Sequence, residues 1–361
     1  MTKRNLIEPN TAVSFPAPDI AKISTAFLDR IISGAEIIGA NRADMLRYIG
    51  IRESYLRHPL GQVSAQSAMQ LISKLEDQFD DPSIGMKIAA KSGMPNFSDP
   101  SYALRFLPNL GETIDAIVAA QRERQNLAEV TYVPYPKPPV LSWQMLTQDS
   151  KTHAQFVEFS IAAYLRLSRD VLNEETIVKH IQFSHAPRFD PAIYNELLGV
   201  EVEFSAPHSE LQLAARQIFR PSPMANATLA DAAFETARLP RQLMDAGHAF
   251  QGLAHLYCAT QLPRSPVTIE NMAACFGMTP RTLRRKLVES GKSFRIILDD
   301  VRYRYAILYR QERTRSISEI ATLLGYSEVS AFSRSYKRMT GHAPSKQRGN
   351  ATASNFKEWW A

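Results

Sequence analysis

Thr268-Ile269-Glu270-Asn271-Met272-Ala273-Ala274-Cys275-Phe276-Gly277-Met278-Thr279 is matched forty-eight residues on by Ser316-Ile317-Ser318-Glu319-Ile320-Ala321-Thr322-Leu323-Leu324-Gly325-Tyr326-Ser327. The spacing of apolar residues in each stretch turns one face of a short helix inward, and Ala273 or Ala321 lets a second helix cross closely. Gly277 and Gly325 permit the left-handed backbone of a turn. Two residues later Thr279 and Ser327 offer hydroxyls to cap the next helix, which in the first copy opens on Pro280. Ser316 with Glu319 has the form of a capping box. Each stretch therefore predicts a helix that stops, turns and restarts, and such a pair frees its second helix to enter a major groove.

The second helices carry the chemistry. Arg281, Arg284 and Arg285 fall on one face, opposite an inward Leu283 and Leu287. Guanidinium groups offer paired donors that match guanine O6 and N7, or else they bind phosphates. In the second unit Val329, Ser330, Ser333 and Arg334 form the exposed strip, with Phe332 and Tyr336 inward; a valine there can pack on a thymine methyl. Between the units, Phe294, Ile297, Leu298, Val301, Tyr305 and Leu308 predict a helix over 293–311. At about 1.5 Å per residue it is nearly 30 Å long, close to the ~34 Å of one DNA turn, so one chain could read two successive half-sites.

Charge is divided in the same way. Of 42 Lys+Arg and 36 Asp+Glu, residues 262–361 hold 18 and 8, leaving a net of −4 for residues 1–261. A basic C-terminal part on a mildly acidic remainder predicts a polyanion partner for that part alone. The 361 residues exceed what one core usually serves. A hydrophobic fraction of 45% with 22% charged residues excludes collagen-like and wholly disordered chains. Cys258 and Cys275 are too few for a disulfide framework or a four-cysteine zinc site, and the densest apolar stretch, 31–40, is broken by Ser33, Gly34 and Glu36. A cytoplasmic protein with no membrane partner and no cofactor is expected.

Outward from the repeat, residues 1–19 read as a flexible arm, 20–240 as an α+β domain, 241–262 as a helical linker with the first helix of the DNA-binding part, 263–350 as the all-α double helix-turn-helix, and 351–361 as a loose tail. Strands are predicted at 129–133, 140–146, 177–184, 200–204 and 211–214, with a helix at 153–172. Helix is predicted over 226–262, broken at Pro240.

The run Gly325-Tyr326-Ser327-Glu328, with Ser330, Phe332, Arg334, Tyr336-Lys337-Arg338, Gly341, Pro344 and Arg348, resembles the signature of the AraC/XylS family of bacterial transcriptional regulators. The likeness extends over about residues 250–350; Gln347 departs from it, standing where the family commonly has an aromatic residue. By that resemblance Arg281, Arg284, Arg285, Val329, Ser330, Ser333 and Arg334 face bases, and Thr279, Ser327 and Lys337 approach phosphates. The N-terminal part is similar, more loosely, to the effector-binding domain of the branch that includes ornithine-utilisation and virulence regulators. Asp99-Pro100-Ser101, Leu110-Gly111-Glu112-Thr113 and Leu198-Gly199-Val200 carry that likeness. It implies a small-molecule effector or dimerisation as input, promoter DNA as partner, and RNA polymerase as a further partner if the protein activates.

Trp143, His185, Arg188 and Tyr194 are candidates to contact an anionic or aromatic effector, or else are ordinary packing residues. Leu229, Phe234, Leu239, Leu243 and Met244 are candidates for a homodimer seam or for packing on their own domain. No Gly-x-Gly-x-x-Gly, Gly-x-Ser-x-Gly, His-Glu-x-x-His or phosphate loop is present, so catalysis is not expected. The remaining rival is an architectural DNA binder without effector control, which would need little beyond the basic hundred residues.

Overall fold

A computed structural model describes residues 21–92, 100–134, 138–146, 150–175, 178–262, 266–311 and 315–345. The expected arm and tail, and with them Gln347 and Arg348, lie outside the described residues.

The chain enters through β1 (Lys22–Ser24), which pairs antiparallel with β2 (Gln62–Ser64), setting Ile23 opposite Val63. Three-residue strands are too short to show alternation, which is why the sequence does not announce them. Around this ribbon run α1 (Thr25–Ile37), α2 (Arg42–Ile49), α3 (Glu53–Leu56), α4 (Ala65–Phe79) and α5 (Ile84–Lys91). Ser24, Asn41 and Ser64 start α1, α2 and α4 by accepting a backbone N–H from the first turn. A 3-10 turn, Pro100–Phe106, and α6 (Leu110–Arg124) follow.

Next comes a sheet of β3 (Ala128–Val133), β4 (Val140–Met145), β5 (Val178–Gln182), β6 (Val202–Glu203) and β7 (Ser209–Leu213), ordered β3-β4-β7-β5-β6. It is antiparallel except for the β5–β6 pair. All five expected strands are there. Their inward residues, among them Val130, Leu141, Ile181 and Leu211, share one core with Phe156, Val157 and Phe159 of α7 (Ser150–Leu172). Two shorter helices, α8 (Pro191–Leu198) and α9 (Ala215–Ile218), complete this half. The sheet and helix alternate in the chain but segregate in space, the α+β arrangement expected.

The C-terminal half is helical: α10 (Ala227–Asp245), α11 (Ala249–Gln261), α12 (Ile269–Cys275), α13 (Pro280–Glu289), α14 (Phe294–Gln311), α15 (Ile317–Leu323) and α16 (Val329–Thr340). One expectation is corrected here. Pro240 does not break the helix but lies inside α10. A proline removes only one ladder bond, and Pro240 itself is buried against α11, which crosses so closely that a Cβ on Gly252 would clash with the Pro240 carbonyl oxygen. Leu229, Ala230, Ala232 and Ala233 are buried in the core of the helical half, and Phe234 packs against it. Of the two roles open to them, Leu229 and Phe234 thus take packing on their own chain.

Among the described residues the halves touch at more than one place. Ala103 and Phe106 of the 3-10 turn are buried in the helical core. Just after α3, the His58 ring stands edge-on to Phe276, 5.1 Å between centroids, bringing the N-terminal half against the first of the repeated units.

Candidate nucleic-acid interface

Each repeated unit is built as the residues require. Thr268 caps α12 and Thr279 caps α13, accepting from the N–H groups of Asn271 and Thr282, and Pro280 holds the first helical position. Gly277 turns at φ +63°, with the N–H of Met278 donating to the Ala273 carbonyl at 2.8 Å. Gly325 repeats this at φ +69°, with Tyr326 N–H donating to Ala321 O at 3.0 Å. The capping box of Ser316 and Glu319 is complete. One cap differs from expectation: α16 starts after Glu328, which makes no side-chain cap, and Ser327 lies one residue too early to serve. The turn of the second unit is one residue longer before its helix, so the register of the two hydroxyls is not the same.

These units share a single core. Met272, Ala273, Leu283 and Leu287 of the first, Ile320, Ala321, Phe332 and Tyr336 of the second, and Ile297, Val301 and Ala306 of α14 all belong to it. That packing is what gives α14, 18 residues long, the stiffness to hold α13 and α16 in fixed relation.

With Leu283 and Leu287 inward, Arg281, Arg284 and Arg285 are exposed along α13. Arg284 pairs with Glu270 at 3.3 Å and Arg285 with Glu289 at 3.7 Å, and all four side chains are more than half exposed. Exposed pairs of this kind are worth about 0–1 kcal/mol, so the carboxylates hold these guanidinium groups only weakly. On α16, Val329, Ser330 and Arg334 are exposed and Ser333 half-buried; the Ser330 hydroxyl donates to Glu328 at 2.9 Å. Thr279, Ser327 and Lys337 are exposed at the edges of these strips.

Sequence reasoning overlooked Arg302. From α14 its Nε donates to the Leu324 carbonyl at 2.9 Å and an Nη to that of Gly325 at 3.2 Å, while the guanidinium lies 4.4 Å from the Tyr326 ring centroid. It caps the C-terminus of α15 from outside, and no spacing rule links an arginine to carbonyls twenty-two residues away. Arg302→Ala is expected to lower stability by about 1–3 kcal/mol through the carbonyls it leaves. Arg302→Lys should recover only part of this, because an ammonium cannot reproduce the planar fork. Urea unfolding of the three proteins reads the difference.

The four residues expected near an effector do not form one group. His185, Arg188 and Tyr194 gather around Glu158 of α7: Arg188 bridges Glu158 at 2.7 Å and Glu76 at 2.6 Å, and the Tyr194 hydroxyl donates to Glu158 at 2.5 Å. Burial pushes the Glu158 carboxyl and the Tyr194 phenol up and the His185 imidazole down, while Glu158 and Glu76 hold Arg188 above its ordinary value. Their charges are spent on one another, tying β5 and α8 to α7. Trp143 lies apart in β4, buried, its ring edge-on to Tyr164 at 5.7 Å. Both cysteine thiols are pushed up by burial, Cys275 to about 12, which leaves them unreactive at neutral pH. Among the described residues no helix is long and apolar enough to cross a membrane, and no three metal-ligating side chains cluster.

Comparison with known proteins shows the family. Residues 39–222, more than half of the chain, match the family described as the arabinose-binding domain of AraC transcription regulator, N-term, and residues 272–350 match a helix-turn-helix domain family. The chain is 22% identical to the ornithine utilization regulator of Pseudomonas aeruginosa over 340 residues, covering 90% of this chain and 96% of that one. It is 25% identical to the HTH-type transcriptional regulator VirS of Mycobacterium tuberculosis over 333 residues, 86% of this chain and 92% of the other. Among solved structures, transcriptional regulator CdpR from Pseudomonas aeruginosa aligns with a TM-score of 0.39 at 19% identity, over 84% of this chain and 95% of that one. With a regulator's N-terminal domain spanning one half and a paired helix-turn-helix built into the other, the chain belongs to the AraC family of DNA-binding transcriptional regulators.

Proposed function

We propose that this regulator binds promoter DNA sequence-specifically, with α13 and α16 in successive major grooves, and that its N-terminal part, residues 20–240, takes a small-molecule input in the cytoplasm. Arg281, Arg284, Arg285, Val329, Ser330, Ser333 and Arg334 face bases. Thr279, Ser327 and Lys337 approach phosphates. RNA polymerase is a further partner if the protein activates, and a homodimer is compatible with a regulator of this kind. The observation that carries the reading is that two helices, α13 and α16, expose guanidinium-bearing strips from one shared core. An architectural binder would not need an N-terminal domain with a separate core of its own.

Arg285→Ala and Arg334→Ala are each expected to weaken binding to a cognate promoter fragment by about 1–3 kcal/mol and to relax preference at one base pair, whereas Lys337→Ala should weaken all sequences alike and reduce the salt slope by about 1. The wild type should prefer its promoter over random duplex by at least about a thousandfold at physiological salt. Equal affinities for the two duplexes would sink the proposal.

A further inference from the structure

Between α1, α6 and α7 lies a cavity of about 90 Å³, open to solvent on one side and walled by Phe27, Ile117, Phe156 and Phe159. Gln121 is among the lining residues, and its side-chain Oε1 is buried without a hydrogen-bond donor among the described residues. Buried acceptors are nearly always satisfied, so one left bare on a residue beside a cavity points to a donor that arrives from outside the chain once the amide turns toward it.

The cavity also has a wall that leads elsewhere. Leu104 lines it, and Leu104 belongs to the 3-10 turn whose Ala103 and Phe106 are buried in the helical core with Leu229 and Ala233 of α10. The Phe106 carbonyl accepts from the N–H of Asn226, the N-cap of α10, at 3.0 Å. Thus one seven-residue element faces the cavity on one side and the DNA-binding half on the other. Packed interiors deform little, so a ligand pressing on Leu104 moves Phe106 with it.

We propose that this cavity is the effector site, that it takes a small, largely apolar molecule bearing one hydroxyl or N–H donor, such as a phenol, an indole or an alcohol, and that the 3-10 turn relays its occupancy to α10. The donor meets Gln121 Oε1, the ring or chain lies among the phenylalanines, and the rest of the molecule leaves by the open side. Arg30, which also lines the cavity, is already engaged, donating to the Ser92 carbonyl at 3.4 Å, so it does not favour an anionic ligand. The inference rests on the reading that the N-terminal part takes a small-molecule input.

The test titrates the full chain calorimetrically with phenol, indole, toluene and benzoate. Phenol and indole should bind at least tenfold more tightly than toluene, which lacks the donor, and than benzoate, which replaces it with an anion. Gln121→Leu, at a half-buried position that tolerates an apolar group, should erase the preference for phenol over toluene. Ala163→Phe, which fills the cavity from α7, should abolish both. Phenol should also change wild-type affinity for the promoter fragment at least threefold, and leave that of Ala163→Phe unchanged. No binding of phenol or indole, tighter binding of benzoate, or binding that survives Ala163→Phe would each overturn the site or its ligand class; phenol binding without any change in promoter affinity would overturn the relay. The ligand-free preference for promoter over random duplex is measured alongside. Its loss would count against the DNA-binding reading, and its persistence with failed phenol binding against this inference alone.

Discussion

Asp300→Ala is expected to destabilise the helical half by about 3–5 kcal/mol, the cost of removing one partner from a buried ionic cluster. Asp300 is 1% exposed in α14. Its carboxylate accepts from Arg304 Nε at 3.1 and 3.2 Å and lies 3.0 Å from His255 Nε2 of α11. The other ring nitrogen of His255 is 2.8 Å from the Gln251 carbonyl, so the cluster pins α11 against the middle of the helix that joins the two recognition units. Losing the carboxylate strips two buried polar groups of their shared acceptor. Asp300→Asn should cost less, because the amide oxygen still accepts. The urea midpoint and the hydrogen exchange of α14 amides measure both variants. A shift below about 1 kcal/mol for Asp300→Ala, with α14 exchange unchanged, would mean that the cluster does not hold the helix.

Phe332→Ala should cost a similar amount, about 3–5 kcal/mol, since it empties an aromatic site in a packed core. Phe332 is fully buried, with the rings of Tyr326 and Tyr336 each 5.6 Å away. Tyr326 is also the ring that Arg302 covers, so the damage reaches the turn of the second unit. On DNA, protection of the half-site read by α16 should disappear first, while that of α13 persists at raised protein concentration. A footprint that shrinks evenly from both ends would contradict the assignment of one recognition helix to each half-site.

The repeat was readable because its information is local. Thr279 caps the residue three positions on, Gly277 turns its own backbone, and Leu283 and Leu287 lie one helical turn apart, so neighbours in sequence suffice. Where the local signal was ambiguous the reading slipped. A hydroxyl near a helix start looked like a cap at Ser327, and a proline looked like a break at Pro240, although Glu328 starts α16 and α10 runs on. In both cases tertiary packing chose among options the local chemistry left nearly equal.

For the candidate effector residues the sequence leaves two roles open, ligand contact and packing. Trp143, His185, Arg188 and Tyr194 are the residue types that contact ligands, but residue type does not say which charges meet. Glu76 and Glu158, distant in sequence, reach Arg188 first. Gln121, with nothing unusual in its neighbourhood along the chain, lines a cavity and carries a buried oxygen without a donor among the described residues.

By itself, then, the chain of amino acids determined the twin turning helices, their exposed basic strips and the strands of the first half, all of which follow from periodicity and capping within a dozen residues. Folding in three dimensions decided which half owns α10, which carboxylates neutralise Arg188 and Arg304, and where a void remains beside Leu104. Those outcomes depend on contacts between segments far apart along the backbone, where steric fit and desolvation are settled only when the whole interior closes.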